Sequence, residues 1–284
     1  MLQNLRRFKF DVGGAANLLP SAWRLFRGQQ RQAGGADQSF LPAGCRVYAI
    51  GDIHGRADLL DCLGEQIWRD VIERPCETVL TIFLGDYVDR GPDSATVIER
   101  LASNNFPTSF IPLRGNHEAV MLQFLEDESV LDKWRHFGGV ETLASYNVEV
   151  TEVMRGRGFK AAQDRLRHNL PDLHREFLEQ TCLSYTLGEY FFCHAGVRPG
   201  VALDQQQPRD LLWIRDEFLG ASESFGKIIV HGHNAVPTVE ILPNRINADT
   251  GAYATNVLTA VVLEGNDSWI LDTAGGAAIS LTNG

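Results

Sequence analysis

The chain has 284 residues, enough for one large domain or two small ones, and its formal net charge of −10 at pH 7 argues against nucleic acid as a partner. Five cysteines without a C-x-x-C pair argue against a disulfide framework or a structural zinc site and favour a cytoplasmic protein with reduced thiols. No apolar run approaches the roughly 20 residues that span a bilayer, and no signal peptide is recognisable, so we expect no transmembrane segment.

Residues 1–44 are predicted to form a basic N-terminal arm, separate from a domain over residues 45–284. Residues 1–40 contain six basic and two acidic side chains, whereas the rest of the chain is acidic. We expect the arm to be mobile or to pack on the domain. A weak contact with an anionic membrane or a partner is the alternative, because basic amphipathic segments can bind such surfaces.

Three apolar runs, over residues 46–50, 78–84 and 108–113, are typical of buried parallel strands. Two segments with helical periodicity separate them, so the pattern is βαβαβ. Each run is followed by a polar block, and the three blocks read GDIHG (51–55), GDYVDRG (85–91) and RGNHE (114–118).

The spacing of these blocks indicates that they meet at one edge of one sheet. Asp52 and Asp86 are 34 residues apart, and Asp86 and Asn116 are 30 apart. One βαβ unit takes about 30 residues, and open α/β sheets place ligand sites at the carboxyl ends of their strands. A single block could be a capped turn, but three in succession favour a metal site. Carboxylate, imidazole and amide ligands suit Mn, Fe or Zn better than Ca or Mg.

The second half of the chain changes character twice. Residues 127–181 are predicted to be a helical insert, with helices over Ser129–Phe137 and Lys160–Leu170, that forms a wall or lid and influences substrate choice. From Leu183 the periodicity becomes that of strands. A hairpin is expected over residues 183–194, with further strands over 227–230, 245–247, 257–263 and 268–272. A βαβ half followed by a β-rich half favours two sheets face to face with helices outside.

The three blocks, together with Cys193–Gly196 (CHAG) and His231–His233 (HGH), resemble the signature of the phosphoprotein phosphatases. This is a family of calcineurin-like metallophosphoesterases, and the resemblance is to its bacterial serine/threonine type. The blocks occur in the family's order and cover about residues 46–272. The resemblance implies an α/β fold, a four-layer α/β/β/α sandwich of two mixed sheets with metals at one edge.

The same resemblance implies two divalent metal ions, with Mn expected and Fe or Zn as alternatives. Asp86 would bridge both ions, and the other ligands would be Asp52, His54, Asn116, His194 and His233. A bridging carboxylate keeps two cations about 3.5–4 Å apart and a water between them is acidified. The expected reaction is therefore in-line attack of a bridging hydroxide on a phosphomonoester.

Other residues take roles around the metals in this interpretation. His117 should protonate the leaving oxygen, with Asp89 orienting its imidazole. Arg90 and Arg215 should bind phosphoryl oxygens, because the guanidinium fork can contact two oxygens at once. Arg114 either helps them or pairs with Asp86 or Asp89.

The histidine pair of the last block needs a choice of ligand. The resemblance places the metal ligand at His233, directly after Gly232. His231 would then not contact the metal but would stabilise the site through a hydrogen bond to a nearby carboxylate or backbone carbonyl. One departure from the family pattern is Asn234-Ala235, where relatives often carry Thr-Pro, so the loop there is expected to differ.

The expected substrate is a phosphoprotein carrying phosphoserine or phosphothreonine, or another phosphorylated molecule. A dinucleoside polyphosphate hydrolase on the same scaffold is the alternative within enzymes. An inactive metal-binding scaffold is the alternative from another class, although every expected ligand is present in the sequence.

Overall fold

A computed structural model describes residues 40–275 and the backbone of residues 279–280. The predicted basic arm therefore lies outside the described residues, apart from residues 40–44. Among the described residues no helix is both long and apolar enough to cross a membrane. All five cysteines are free thiols.

The first sheet has six strands in the order β11-β10-β9-β1-β2-β3. Strands β1, β2 and β3 run parallel, and β9 pairs with the other edge of β1 in antiparallel register. The strand bounds are Cys45–Ile50 for β1, Thr78–Phe83 for β2, Ser109–Pro112 for β3, Thr259–Glu264 for β9, Asp267–Asp272 for β10 and Ile279–Ser280 for β11.

Strand β1 is buried on both faces, as the continuous apolar run predicts. Tyr48 and Ile50 face a helical layer, whereas Val47 and Ala49 face the second sheet. The helical layer begins with α1 (Ala57–Glu73) and α2 (Ser94–Ala102), whose apolar stripes are the ones expected from the sequence.

The second sheet has five strands in the order β4-β5-β6-β8-β7. Its strands are Ser184–Leu187 (β4), Tyr190–Cys193 (β5), Ile228–His231 (β6), Glu240–Leu242 (β7) and Arg245–Asn247 (β8), of which β5, β6 and β8 are parallel. Phe192 and Val230 pack against the first sheet, and Phe191 and Ile229 pack toward two short helices. Two sheets with helices outside each confirm the predicted four-layer sandwich.

Helices after β3 complete the layer beside the first sheet. The predicted single helix over Ser129–Phe137 is wrong, because the helix ends at Trp134 and residues 135–138 form a turn. After α3 (Asn116–Glu126) and a 3₁₀ turn, the helices are Leu131–Trp134 (α4), Gly139–Ser145 (α5), Thr151–Met154 (α6), Phe159–Asn169 (α7) and Asp172–Gln180 (α8). The short helices outside the second sheet are Pro208–Trp213 (α9) and Asp216–Leu219 (α10), and Ala252–Thr255 (α11) precedes β9.

Candidate metal centre and active site

Polar side chains follow the carboxyl ends of parallel strands in both sheets. In the first sheet, β1 leads to Asp52 and His54, β2 to Asp86, and β3 to Asn116. In the second sheet, β5 leads to His194 and β6 to His233. All six predicted ligands are buried. The carboxyl ends of the parallel strands of both sheets therefore meet at one site, which is where open α/β sheets place their ligands.

Asp86 lies at the centre of this site, and its two carboxylate oxygens face different neighbours. Oδ2 is 3.5 Å from Nε2 of His54, which in turn is 3.9 Å from Oδ2 of Asp52. Oδ1 is 3.5 Å from Nε2 of His194. One carboxylate thus separates two groups of ligands, which is the arrangement of a bridging ligand between two cations.

The group on the Oδ1 side carries a direct sign of a cation site. His194 Nδ1 lies 2.9 Å from the carbonyl oxygen of Leu84, which fixes the proton on that nitrogen and leaves Nε2 bare. This bare Nε2 is 2.8 Å from Oδ1 of Asn116 and 3.2 Å from Nδ1 of His233. A bare imidazole nitrogen and an amide oxygen are both acceptors. A cation between them turns that repulsion into coordination, so these residues fit a divalent metal.

On the Oδ2 side, His54 likewise has one ring nitrogen bound to a backbone carbonyl and the other free to bind a cation. Its Nδ1 lies 2.8 Å from the carbonyl oxygen of Val88, while its buried Nε2 has no hydrogen-bond partner among the described residues. Burial lowers the pKa of His54 to about 3, so the ring is neutral and Nε2 offers a lone pair. That lone pair is directed at Asp52 and Asp86.

The backbone is bent to reach this geometry. His54, Asp86 and His233 have φ values of 46°, 52° and 67°, in the left-handed region that residues with a side chain rarely adopt. Such a residue costs on the order of 1–3 kcal/mol and persists where the surrounding structure imposes it, most often at functional sites. Three of the six ligand candidates share this strain.

Asp249 is a carboxylate of the site that the sequence analysis missed. It is buried, and burial followed by the charges of Asp249 and Asp86 raises the pKa of Asp52 well above its usual range. Burial likewise raises the pKa of Asp249 to about 6. The excess of buried negative charge is balanced when cations are bound. Asp249 follows β8, another parallel strand, so the rule that located the other blocks applies to it as well.

A histidine–carboxylate pair borders the site. His117 Nδ1 is 2.6 Å from Oδ2 of Asp89, and His117 Nε2 is 3.8 Å from Oδ2 of Asp86. Burial lowers the pKa of His117, but Asp86 and Asp89 outweigh it and raise that pKa to about 9. The pair therefore favours the protonated imidazole that a general acid requires.

Residues 45–257 match the family model described as calcineurin-like phosphoesterase. The chain belongs to this family. It is therefore a metallophosphoesterase, a hydrolase whose members use a dimetal centre.

The chain is also similar to particular relatives, and it shares its fold with a solved structure. The chain is 26% identical over 238 residues to the asymmetrical bis(5'-nucleosyl)-tetraphosphatase PrpE of Oceanobacillus iheyensis, a match that covers 76% of this chain and 87% of the relative. A provisionally named serine/threonine-protein phosphatase of Schizosaccharomyces pombe is 43% identical over 75 residues, which cover 26% of this chain and 22% of that protein. The crystal structure of a provisionally named diadenosine tetraphosphatase matches with a TM-score of 0.54 at 20% identity, over 83% of this chain and 92% of that one.

The carboxylate of Asp89 is held by helices α4 and α5 of this metallophosphoesterase, an arrangement that the sequence analysis missed. Trp134 Nε1 donates to Oδ2 of Asp89 at 2.7 Å, and Thr142 Oγ1 donates to Oδ1 at 2.6 Å. The backbone N–H of Asp89 donates to Oγ1 of Thr142 at 2.8 Å and to Oγ of Ser94 at 3.0 Å. Asp89 is fully buried. The donors Trp134 and Thr142 replace the water molecules that would otherwise hydrogen-bond to its carboxylate.

Glu118 fixes the loop that carries Asp86. Its carboxylate accepts the backbone N–H groups of Asp86, Tyr87, Val88 and Gly115 at 2.8–3.2 Å. Burial and the nearby Asp86 raise the pKa of Glu118, and the N–H groups of Gly115 and Val88 oppose that rise. The glutamate of the RGNHE block therefore supports the shape of the loop.

The three predicted substrate-binding arginines have different surroundings. Arg90 Nη2 is 3.4 Å from Nε2 of His117, next to the site. Arg215 is exposed, and its Nη1 donates to Oδ1 of Asn234 at 2.9 Å, so the residue that departs from the family pattern orients this arginine. Arg114 donates to the carbonyl oxygens of Leu178, Glu179 and Thr181 at the end of α8, at 2.8–3.4 Å. These contacts tie Arg114 to the helix end rather than to Asp86 or Asp89.

The two histidines of the last block lie in different environments. His231 is the last residue of β6, and its ring packs 5.0 Å from that of Phe218 on the outer face of the second sheet. Its Nδ1 lies 3.0 Å from the carbonyl oxygen of Gly232, a backbone partner of the kind expected. His233 lies with His194 and Asp86 instead, and its backbone N–H donates to Oδ1 of Asp52 at 3.1 Å.

Proposed function

We propose that the protein hydrolyses phosphate esters or anhydrides with two divalent cations, Mn being the expected metal. Asp86 would bridge the cations, with Asp52 and His54 on one side and Asn116, His194 and His233 on the other. The observation that carries this proposal is that the two oxygens of Asp86 face two separate groups of ligands, at 3.5 Å each. When bound, the cations supply neutralising charge at the phosphoryl group and lower the pKa of a coordinated water.

The chain's own residues take the remaining roles in this proposal. Arg90 and Arg215 bind the phosphoryl oxygens, since a guanidinium presents paired donors to two oxygens. His117 directs Nε2 toward the leaving oxygen and donates a proton to it. Asp89 accepts from Nδ1 at 2.6 Å, which keeps the ring in the required orientation and stabilises its cationic form.

We propose a dinucleoside tetraphosphate as the substrate class, which puts the alternative of the sequence analysis ahead of its first expectation. The tetraphosphatase relative aligns with 76% of the chain, whereas the serine/threonine phosphatase aligns with 26% of it. The metal blocks are common to both activities and do not separate them. Phosphoserine and phosphothreonine proteins remain the second candidate because of the shared motifs.

Turnover of matched substrates tests this choice. Protein loaded with Mn is assayed on diadenosine tetraphosphate and on peptides carrying phosphoserine, phosphothreonine or phosphotyrosine. We expect the nucleotide to have the highest kcat/KM and to yield two different nucleotides, AMP and ATP, on anion-exchange chromatography. The Asp86→Asn variant, which lacks the bridging charge, controls for contaminating hydrolases. A kcat/KM for any of the peptides above that for the nucleotide would overturn the proposed substrate class.

A further inference from the structure

A cavity of about 410 Å³ lies beside the proposed acid. Its lining includes Arg90, Arg135, Phe137, Gly138 and Tyr253. Phe137 and Tyr253 expose 56% and 41% of their surface, so both rings are accessible to a ligand. Sites for small organic ligands have volumes of about 300–1,000 Å³ and are lined by aromatic side chains with a few polar groups. The volume of the cavity lies in this range, and its lining combines two exposed aromatic side chains with the polar or charged side chains of Arg90, Arg135, His136 and Glu141.

The position of the cavity identifies which part of a substrate it would hold. Arg90 lines it, and Nη2 of the same Arg90 lies 3.4 Å from Nε2 of His117. The guanidinium of Arg90 also lies 4.6 Å over the ring of Tyr253, whose edge meets His54 at 5.4 Å between ring centroids. The cavity therefore begins where the leaving oxygen would take its proton, and it would hold the group attached to that oxygen.

The wall of the cavity is attached to the catalytic loop. The backbone N–H of Arg90 donates to the carbonyl oxygen of Gly138 at 3.3 Å. A Cβ on Gly138 would lie 2.3 Å from that same nitrogen, and Gly138 has a φ of 101°, so only glycine allows this close approach. The N–H of Phe137 donates to the carbonyl oxygen of Trp134 at 2.9 Å, which sets the turn that presents Phe137. The backbone that carries Phe137 is thus held against the loop that carries Arg90.

We propose that this cavity binds the nucleobase of the leaving nucleotide, with the base stacked on the exposed ring of Phe137. The inference rests on the proposed function and names a subsite within it. A base has two flat apolar faces that stack on aromatic rings. The guanidinium of Arg90 lies between this site and the phosphoryl position, where the phosphate chain of the same nucleotide would pass. The competing occupant is a phosphopeptide. A peptide does not in general carry a planar ring next to its phosphoserine, so it would not use the exposed ring in the same way.

Competitive inhibition separates the base from the rest of the nucleotide. AMP and ribose 5-phosphate are compared as inhibitors of the hydrolysis of β-glycerol phosphate, a small ester without an aromatic group. Stacking of one base on an aromatic side chain contributes about 5- to 150-fold in affinity, so AMP should inhibit more tightly by about that factor. Phe137→Ala should remove most of this preference, and Phe137→Trp should retain it.

A matched control is Ile72→Ala on helix α1, where Ile72 exposes 58% of its surface outside the cavity lining. This variant should keep the full preference for AMP. Equal inhibition by AMP and ribose 5-phosphate in the wild type, or a preference that Phe137→Ala leaves unchanged, would overturn the subsite. The result is independent of the proposed substrate, because a base preference at Phe137 can be present when diadenosine tetraphosphate is not turned over, and turnover can occur without it.

Discussion

Replacing Trp134 with phenylalanine removes one hydrogen bond to the catalytic pair and leaves most of the buried ring. Trp134 Nε1 donates to Asp89 at 2.7 Å, on the same oxygen that accepts from His117 at 2.6 Å. A hydrogen bond to a charged group is worth about 1.5–3 kcal/mol. If all of this energy serves to align Asp89, the rate falls by about 10- to 150-fold, since about 1.36 kcal/mol changes a rate tenfold. Trp134 is then a positioning residue that acts through Asp89 and His117.

Two substrates with different leaving groups reveal that role. A general acid matters most when the leaving oxygen is strongly basic, so Trp134→Phe should slow hydrolysis of β-glycerol phosphate far more than that of p-nitrophenyl phosphate. The metal content should stay at the wild-type value. Trp269→Phe is the matched control, because Trp269 is buried and its Nε1 has no hydrogen-bond partner among the described residues. An equal loss on both substrates, or the same activity in both variants, would refute the positioning role.

Other predictions address the metal ligands and the acid. His117→Asn should keep two metals and lose about 10²–10⁴-fold in rate on an alkyl phosphate, with a smaller loss on p-nitrophenyl phosphate; equal losses would contradict its role as acid. By elemental analysis, His233→Ala should lose one metal, whereas His231→Ala should keep both; the reverse would show that the ligand lies two residues earlier. Gly232→Ala should weaken metal binding, because its Cβ would lie 2.3 Å from Oδ1 of Asp52; wild-type affinity by competition with a chelator would show that the loop shifts without cost.

The first half of the fold could be predicted because its signals are local. Strands β1 and β2 are continuous apolar runs, and α1 and α2 carry helical stripes between them. The expected spacing of one βαβ unit then brought Asp52, Asp86 and Asn116 to one edge, where the structure places them. The ligands of the second sheet came from the family resemblance, since the spacing of βαβ units does not connect His194 and His233 with the first three blocks.

The helices after β3 were harder to predict, because proline and glycine can either end one helix or stand at the start of the next. Pro171 separates α7 from α8, as a helix-breaking residue should, and it also directly precedes α8, where a proline costs no hydrogen bond. Gly138 likewise closes the turn that follows α4, and it adopts the left-handed conformation from which α5 starts at Gly139, against Arg90. Strand β7 has three residues and depends on its pairing with β8.

The support of Asp89 could not be predicted for a different reason. Trp134 and Thr142 lie 45 and 53 residues beyond it in sequence. A single tryptophan N–H or threonine hydroxyl carries no sequence signal of its partner, because the hydrogen bond exists only after the chain has folded. Asp249 was within reach of the sequence, since the end of β8 is governed by the same rule as the ends of β1, β2 and β3.

Metal counting together with activity tests the central claim, that one carboxylate joins two cation sites that carry the hydrolysis. Protein stripped with a chelator is reloaded with Mn, freed of excess metal, and measured by elemental analysis and by turnover of p-nitrophenyl phosphate. The proposed centre predicts two Mn per chain, negligible activity in the stripped protein, and recovery on reloading. It also predicts that Asp86→Asn weakens both sites, because both depend on this carboxylate. Full activity in the metal-free protein, or an Asp86→Asn variant that keeps two tightly bound Mn, would contradict it.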